Sequence, residues 1–198
     1  MRSIFDFVIK PKQSRYNNVK KVGDKNLILN TEMQNHQYVS REATVLSTPT
    51  SIKTPVKVGD DVIVHHNVFR RWYNVRGEEK NSRNFINENT YLCQQDQMYL
   101  YKKDNLWVPL KGFCFVKPIV NDDPLSTDKE KPLVGILKYL EDDLRRVGLK
   151  ENDLVGFSPD SEFEFVIERE RLYRVLTNSI TIKYEYQGQE EEYNPSWV

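Results

Sequence analysis

Three blocks of this chain occur twice, in the same order, and that repetition limits the fold more than any other feature of it. The central block, Val56–Asn67, reads Val-Lys-Val-Gly-Asp-Asp-Val-Ile-Val-His-His-Asn. A polar turn at Gly59-Asp60 leads into Val62, Ile63 and Val64, a β-branched run that marks a strand with buried positions. Its echo is Gly148–Phe157, where Lys150-Glu151-Asn152-Asp153 precedes Leu154-Val155-Gly156-Phe157. The flanks match as well. Phe5–Pro11 has a counterpart in Phe113–Pro118, one residue shorter. Tyr91–Tyr101 aligns without a gap on Tyr173–Lys183, which puts Cys93 on Val175, Asp96 on Asn178, Met98 on Ile180 and Leu100 on Ile182. Such a chain is a duplicated β domain, and its 198 residues divide into two units of about 100 each.

Between the blocks the pattern is less regular. Ile4–Lys10 alternates apolar and polar and reads as a first strand that Pro11 stops; with Phe5, Phe7 and Ile9 on one face, it is expected to be an open edge available to another subunit. The alternative partner for such an edge lies within the chain, where Gly112–Ile119 is free to pair with the closing strand of the first unit. Residues 12–37 are polar and rich in Asn and Lys, and are expected to form an exposed, mobile loop. Val39–Ser47 is a second strand, and Thr48–Pro55 a short connection. Phe69–Thr90 is a long arm whose charged middle, with Gly77, suits a hairpin tip. Leu106-Trp107-Val108, at the junction of the units, is too apolar for a free linker. In the second unit, Leu133–Val147 carries helical spacing, yet the repeat demands a strand over Val134–Tyr139, leaving a short helix for Glu141–Val147. Strands follow at Asp153–Ser158 and Phe163–Ile167, then the closing pair Leu172–Leu176 and Ile180–Tyr186. The division is therefore 1–105, 106–186 and a flexible acidic tail over 187–198.

Composition excludes several function classes. Lys and Arg number 29, as do Asp and Glu, so no global field draws nucleic acid or anionic lipid. No apolar run reaches the roughly 20 residues of a membrane span, and Met1–Pro11 alternates rather than forming a signal segment. Cys93 and Cys114 fall inside expected strands without metal-ligand spacing, as buried reduced thiols of a cytosolic protein would. The histidines are His36 and the adjacent His65-His66, whose side chains are expected on opposite faces of a strand. There is no metal set, no glycine-rich phosphate cradle and no nucleophile elbow, so neither a catalytic residue nor a cofactor is expected. Arg70-Arg71-Trp72-Tyr73 combines cations with aromatics, but one such cluster on a neutral chain reads as a solvated hairpin limb rather than a nucleic-acid track.

Leu27-Ile28-Leu29 stands apart. Three large aliphatic residues in a row within a polar segment have no apolar neighbours to bury them. Either they plug the edge of a core or they anchor in the apolar groove of a partner. Burying all three yields about 5–9 kcal/mol, and ordering the segment removes about 2–5 of it. Such a contact is weak and reversible, and useful mainly when several copies act together.

In that order, the blocks resemble the GroES-type co-chaperonins, the lids of chaperonin cages. Phe7–Lys10, Leu27-Ile28-Leu29, Ala43–Leu46, Val56–Val64 and Tyr91–Leu100 fill the family's slots of first strand, loop tripeptide, second strand, Val-Lys-Val-Gly-Asp strand and closing pair. Phe113–Lys117, Gly135–Leu137, Leu149–Phe157 and Leu172–Ile182 fill most of them again. There are departures. Thr48–Pro55 is too short for a roof hairpin and the loop is long, as in divergent co-chaperonins of large bacteriophages. Lys25-Asn26 replaces the usual glycines, and the arm has no family equivalent. The second unit lacks a tripeptide, so no chaperonin contact is carried to Val120–Lys131.

The resemblance implies an all-β chain of two tandem, partly open GroES-like β-barrels with a long mobile loop in the first. It further implies a non-enzymatic cytoplasmic co-chaperonin, in the host cytoplasm if phage-encoded. Leu27, Ile28 and Leu29 would bind an ATP-loaded GroEL-type chaperonin, a homo-oligomeric ring would present them, and a client protein would be enclosed. No metal, nucleic acid or membrane enters that picture. The alternative is a structural protein, a virion or scaffold component that reuses the barrel without chaperonin binding; the GroES-like half of a dehydrogenase is the poorer choice, since no dinucleotide domain follows.

Overall fold

The computed structural model describes residues 2–16, 19–28, 38–185 and 190–196. Tertiary contacts divide the chain into two compact units, Met1–Leu106 and Trp107–Val198. Both are built from strands, with one short α-helix among the described residues, in the second unit. This is the all-β class the repeat demands.

In the first unit the strands are β1 (Phe7–Pro11), β2 (Val19–Val22), β3 (Lys25–Ile28), β4 (Glu42–Ser47), β5 (Asp61–Val64), β6 (Arg71–Tyr73), β7 (Glu79–Asn81), β8 (Phe85–Asn87), β9 (Thr90–Cys93) and β10 (Met98–Lys103), with β11 (Leu106–Pro109) spanning the passage into the second unit. The principal sheet has the order β11-β10-β5-β4-β1-β9-β8. Its β-branched centre explains itself: Val62, Ile63 and Val64 are all 0–1% exposed, so β5 is buried on both faces and needs no polar alternation. Phe7, Ile9, Ala43, Val45, Tyr91 and Leu100 complete this core from neighbouring strands.

The second unit contains β12 (Phe113–Val120), β13 (Glu130–Tyr139), α1 (Asp142–Arg146), β14 (Leu154–Phe157), β15 (Phe163–Ile167), β16 (Glu170–Leu176) and β17 (Ile180–Lys183), with sheet order β15-β16-β12-β13-β14-β17. Read from the other end, this is the order β10-β5-β4-β1-β9-β8 of the first unit. Registers agree too. Pro11 faces Ala43 as Pro118 faces Gly135, and the ladder slips between Val8 and Ile9 as it does between Phe115 and Val116. Ile9 faces Tyr91 as Val116 faces Tyr173.

The turn into the central strand is likewise duplicated. Lys57 N–H donates to the Asp60 carboxylate at 2.8 Å, and Lys150 N–H to Asp153 at 2.8 Å. Gly59 N–H reaches Val45 O and Asn152 N–H reaches Leu137 O, both at 2.8 Å. Gly59 (φ +93°) and Asn152 (φ +70°) occupy the same left-handed position, which glycine and asparagine enter most readily. Helix α1 lies between β13 and β14, with Asp142-Asp143 at its start, Arg145-Arg146 at its end and Leu144 buried. That charge order complements the helix dipole, and Gly148 at φ +88° lets the chain leave the helix.

Several expectations require correction. β1 is not an edge: it pairs with β4 on one side and β9 on the other. β12 is enclosed in the same way by β13 and β16, inside its own unit. The free ends of the ladders are β8, β11, β15 and β17, and neither strand order joins its two ends, so neither sheet closes fully into a barrel. Within the segment expected to be a mobile loop, β2 and β3 form a hairpin turning at Gly23-Asp24, where Gly23 has φ +61°. The long arm is shorter than Phe69–Thr90, because Phe85–Asn87 belongs to the principal sheet beside β9. His65 and His66 do not diverge. The strand stops at Val64, a 3-10 turn follows, and the two rings stack at 4.2 Å.

The acidic end expected to fray is tied down where described. Val120 N–H donates to Glu191 O at 2.8 Å and Tyr193 N–H to Pro118 O at 2.9 Å. Glu192 meets Lys117 at 2.8 Å, and the Asn194 amide bonds Arg169 O at 3.3 Å. These residues form a strap along the end of β12.

Candidate partner-binding site

The tripeptide singled out by the sequence begins on β3. Lys20 faces Leu27 and Val19 faces Ile28 across the small hairpin, which is a sheet of its own, separate from the principal one. Leu27 is 53% exposed, and Val22 beside the turn 57%. Leu29 lies outside the described residues. The hairpin therefore places an aliphatic side chain in solvent, on backbone already hydrogen-bonded. That preorganisation lowers the ordering cost of any contact made through Leu27.

The corresponding connection in the second unit, between β12 and β13, is built differently. Asp123 N–H bonds the Asn121 side chain at 3.2 Å, Leu125 N–H the Asp123 carboxylate at 2.9 Å, and Asp128 N–H the Ser126 hydroxyl at 3.1 Å. Short polar side chains thus satisfy the backbone in a string of local turns. Leu125, 93% exposed, is the sole large aliphatic residue between Val120 and Leu133.

Beside that loop lies a cavity of about 470 Å³, with Glu130, Leu133, Phe157, Arg171, Tyr173 and Tyr193 in its wall. Sequence reading passed over it, because its members come from β13, β14, β16 and the strap. Arg171 donates from Nε to Glu164 at 2.9 Å and forks onto Glu130, while Tyr173 OH donates to Glu130 at 2.6 Å. Burial works against the Arg171 charge, but the bonds to Glu130 and Glu164 outweigh it and raise its pKa. Burial, with Glu130 beside it, also pushes the Tyr173 phenol up. The Arg171 cluster is closed on itself: each charge faces an opposite one, as partly buried ions require.

Elsewhere the chemistry is quiet. The Cys93 thiol is driven up by burial, and the Cys114 thiol is pushed up to about 12 by burial and then Glu141. Neither is a thiolate at neutral pH. Among the described residues no three His, Cys, Asp or Glu side chains converge as a metal set, and no helix is long and apolar enough to cross a membrane. Comparison of the chain with protein-family models and with curated proteins returns no match.

Proposed function

We propose that this protein is a cytoplasmic co-chaperonin, a lid that contacts an ATP-loaded GroEL-type chaperonin through Leu27, Ile28 and Leu29 and helps to enclose a client protein. The observation that carries the reading is Leu27, held exposed on a hairpin that leaves the first unit between β1 and β4. The ordered, duplicated strand pattern supports it. Each anchor of this kind is weak, so the reading requires a homo-oligomer that presents several together. Light scattering should then give a mass several times 23.5 kDa. The protein works by binding alone and takes no cofactor or metal.

The decisive test replaces Leu27, Ile28 and Leu29 together with Ser and measures chaperonin binding with and without ATP. ATP-dependent binding of the parent chain and its loss in the variant, with circular dichroism unchanged, is the expected result. Equal binding by both proteins overturns the reading. One observation favours a second reading, a virion or scaffold component: β1 has both edges occupied within its own sheet, so the strand expected to join subunits is not free to do so. Under that reading the chain assembles without any response to chaperonin or ATP.

A further inference from the structure

The hairpin β6–β7 has no counterpart among the described residues of the second unit, and the sequence alone suggests a solvated limb. Its construction argues otherwise. Arg15, 9% exposed, donates from Nε to Phe69 O at 2.6 Å and from Nη2 to Arg70 O at 3.3 Å, with its guanidinium 5.3 Å from the Phe85 ring and 5.4 Å from Tyr91. Tyr16 OH accepts the Arg71 N–H at 2.8 Å, and the Arg71 guanidinium lies 4.9 Å from the Tyr16 ring. Ser82 Oγ donates to Val68 O at 2.6 Å. Three separate polar clamps fix the base.

The tip is equally defined. Asn74 Oδ1 accepts the N–H groups of Arg76 and Glu78, both at 3.0 Å, and Gly77 turns the chain at φ +74°. What this rigid ribbon holds out is apolar and cationic. Trp72 is 37% exposed, Tyr73 45% and Val75 fully. Between Arg70 and Arg83 five cationic side chains oppose two carboxylates, a net of +3 on a chain whose net charge is zero. Glu79 is taken by Arg71 at 3.1 Å and Glu78 by Lys80 at 3.0 Å. Arg76 and Arg83 have no ion pair among the described residues.

We propose that this hairpin is a docking element for an acidic protein segment, one carrying carboxylates around a large apolar side chain. Arg76 and Arg83 meet the carboxylates, and Trp72 covers the apolar group from one face of the ribbon, Tyr73 lying on the other. Exposed Trp, Tyr and Arg on preorganised backbone are the residues that dominate protein interfaces. A nucleic-acid strand fits less well, because its charge recurs at every nucleotide and cannot avoid Glu78 and Glu79. A protein segment can set its carboxylates on Arg76 and Arg83 and a neutral residue between them. This contact is additional to the lid reading and does not rest on it.

The test uses the full chain and three labelled probes of about twelve units each: a peptide alternating Glu with Leu and Phe, the same peptide with Gln for Glu, and an oligothymidylate. Fluorescence anisotropy should show binding of the acidic peptide alone. Arg76→Glu with Arg83→Glu should weaken it by about tenfold or more. Both positions are exposed, so the fold is retained; Trp72→Ser, which leaves the charge unchanged, should weaken binding as well. Leu27→Ser should have no effect on this probe, which separates the outcome from that of the chaperonin assay. Equal affinity for the Gln peptide, tighter binding of the oligothymidylate, or indifference to the Arg76 and Arg83 reversal would overturn the proposal.

Discussion

The two units solve one folding problem twice and then diverge in what they attach to the solution. Between corresponding strands, the first unit projects two hairpins, β2–β3 and β6–β7, while the second has a loop tied by its own Asn, Asp and Ser side chains, a short helix, and a strap. The shared parts are those in which backbone bonding leaves little choice: the ladder slip at β1 and β12, and the aspartate that closes the turn before β5 and β14. The unshared parts expose side chains. In a duplicated fold the frame is held by its hydrogen bonds, and binding can be sought where the copies disagree.

The comparison can be broken or sharpened by paired substitutions at equivalent positions. Val8 and Phe115 correspond, but Phe115 packs its edge against Phe165 at 5.7 Å and Tyr139 at 6.1 Å. Phe115→Ala should therefore cost about 3–5 kcal/mol, and Val8→Ala about 2; equal losses in urea denaturation would mean that the ring contacts of Phe115 add nothing to its core. At the Ala43 and Gly135 pair, a Cβ on Gly135 would lie 2.6 Å from Lys117 O. Gly135→Val should destabilise the second unit by about 3 kcal/mol, whereas Ala43→Gly should cost about 1.

Smaller effects are expected at the turns. Asp60→Ala loses one bond, to Lys57 N–H, and should cost about 1 kcal/mol. Asp153→Ala also loses Lys183 at 2.6 Å and should cost somewhat more. Burial opposes the Asp153 carboxylate, but the Lys183 and Lys150 hydrogen bonds prevail and hold its pKa below the ordinary 3.8. A depressed carboxylate contributes stability above its unfolded pKa and loses it as pH falls through the folded one. The melting temperature of the parent chain should thus drop more steeply below about pH 4 than that of Asp153→Asn; parallel curves would remove Lys183 from the account. Least of all, Asn152→Gly, at the position where the first unit has Gly59, should stabilise by a few tenths of a kcal/mol.

Much of this frame was legible in the sequence, because strands write a two-residue period and the repeat gave each segment a second witness. The repeat correctly overrode the helical spacing at Leu133–Val147: β13 runs to Tyr139, and the helix is confined to Asp142–Arg146. The hairpin β2–β3 was missed although its signal was present, Gly23-Asp24 between Val22 and Lys25, since flanking Asn and Lys made the whole stretch look unstructured. Edges were misjudged for a different reason. Alternation at Phe5, Phe7 and Ile9 specifies buried faces and says nothing about which neighbours pair on either side. The Arg171 cluster and the strap depend on contacts between residues as far apart as Lys117 and Glu192, for which no local pattern exists. Of the candidate site, exposure at Leu27 is the part now described.

The strap gives the second unit a built-in clock. The amide of Val120 is covered by the carbonyl of Glu191, so its deuterium uptake requires only that the strap lift. The amide of Val116, in a strand paired on both sides, must wait for the sheet itself to open. Two amides four positions apart on one strand therefore report two different motions, and the ratio of their exchange rates reads how often the end of the chain lets go while the unit remains folded.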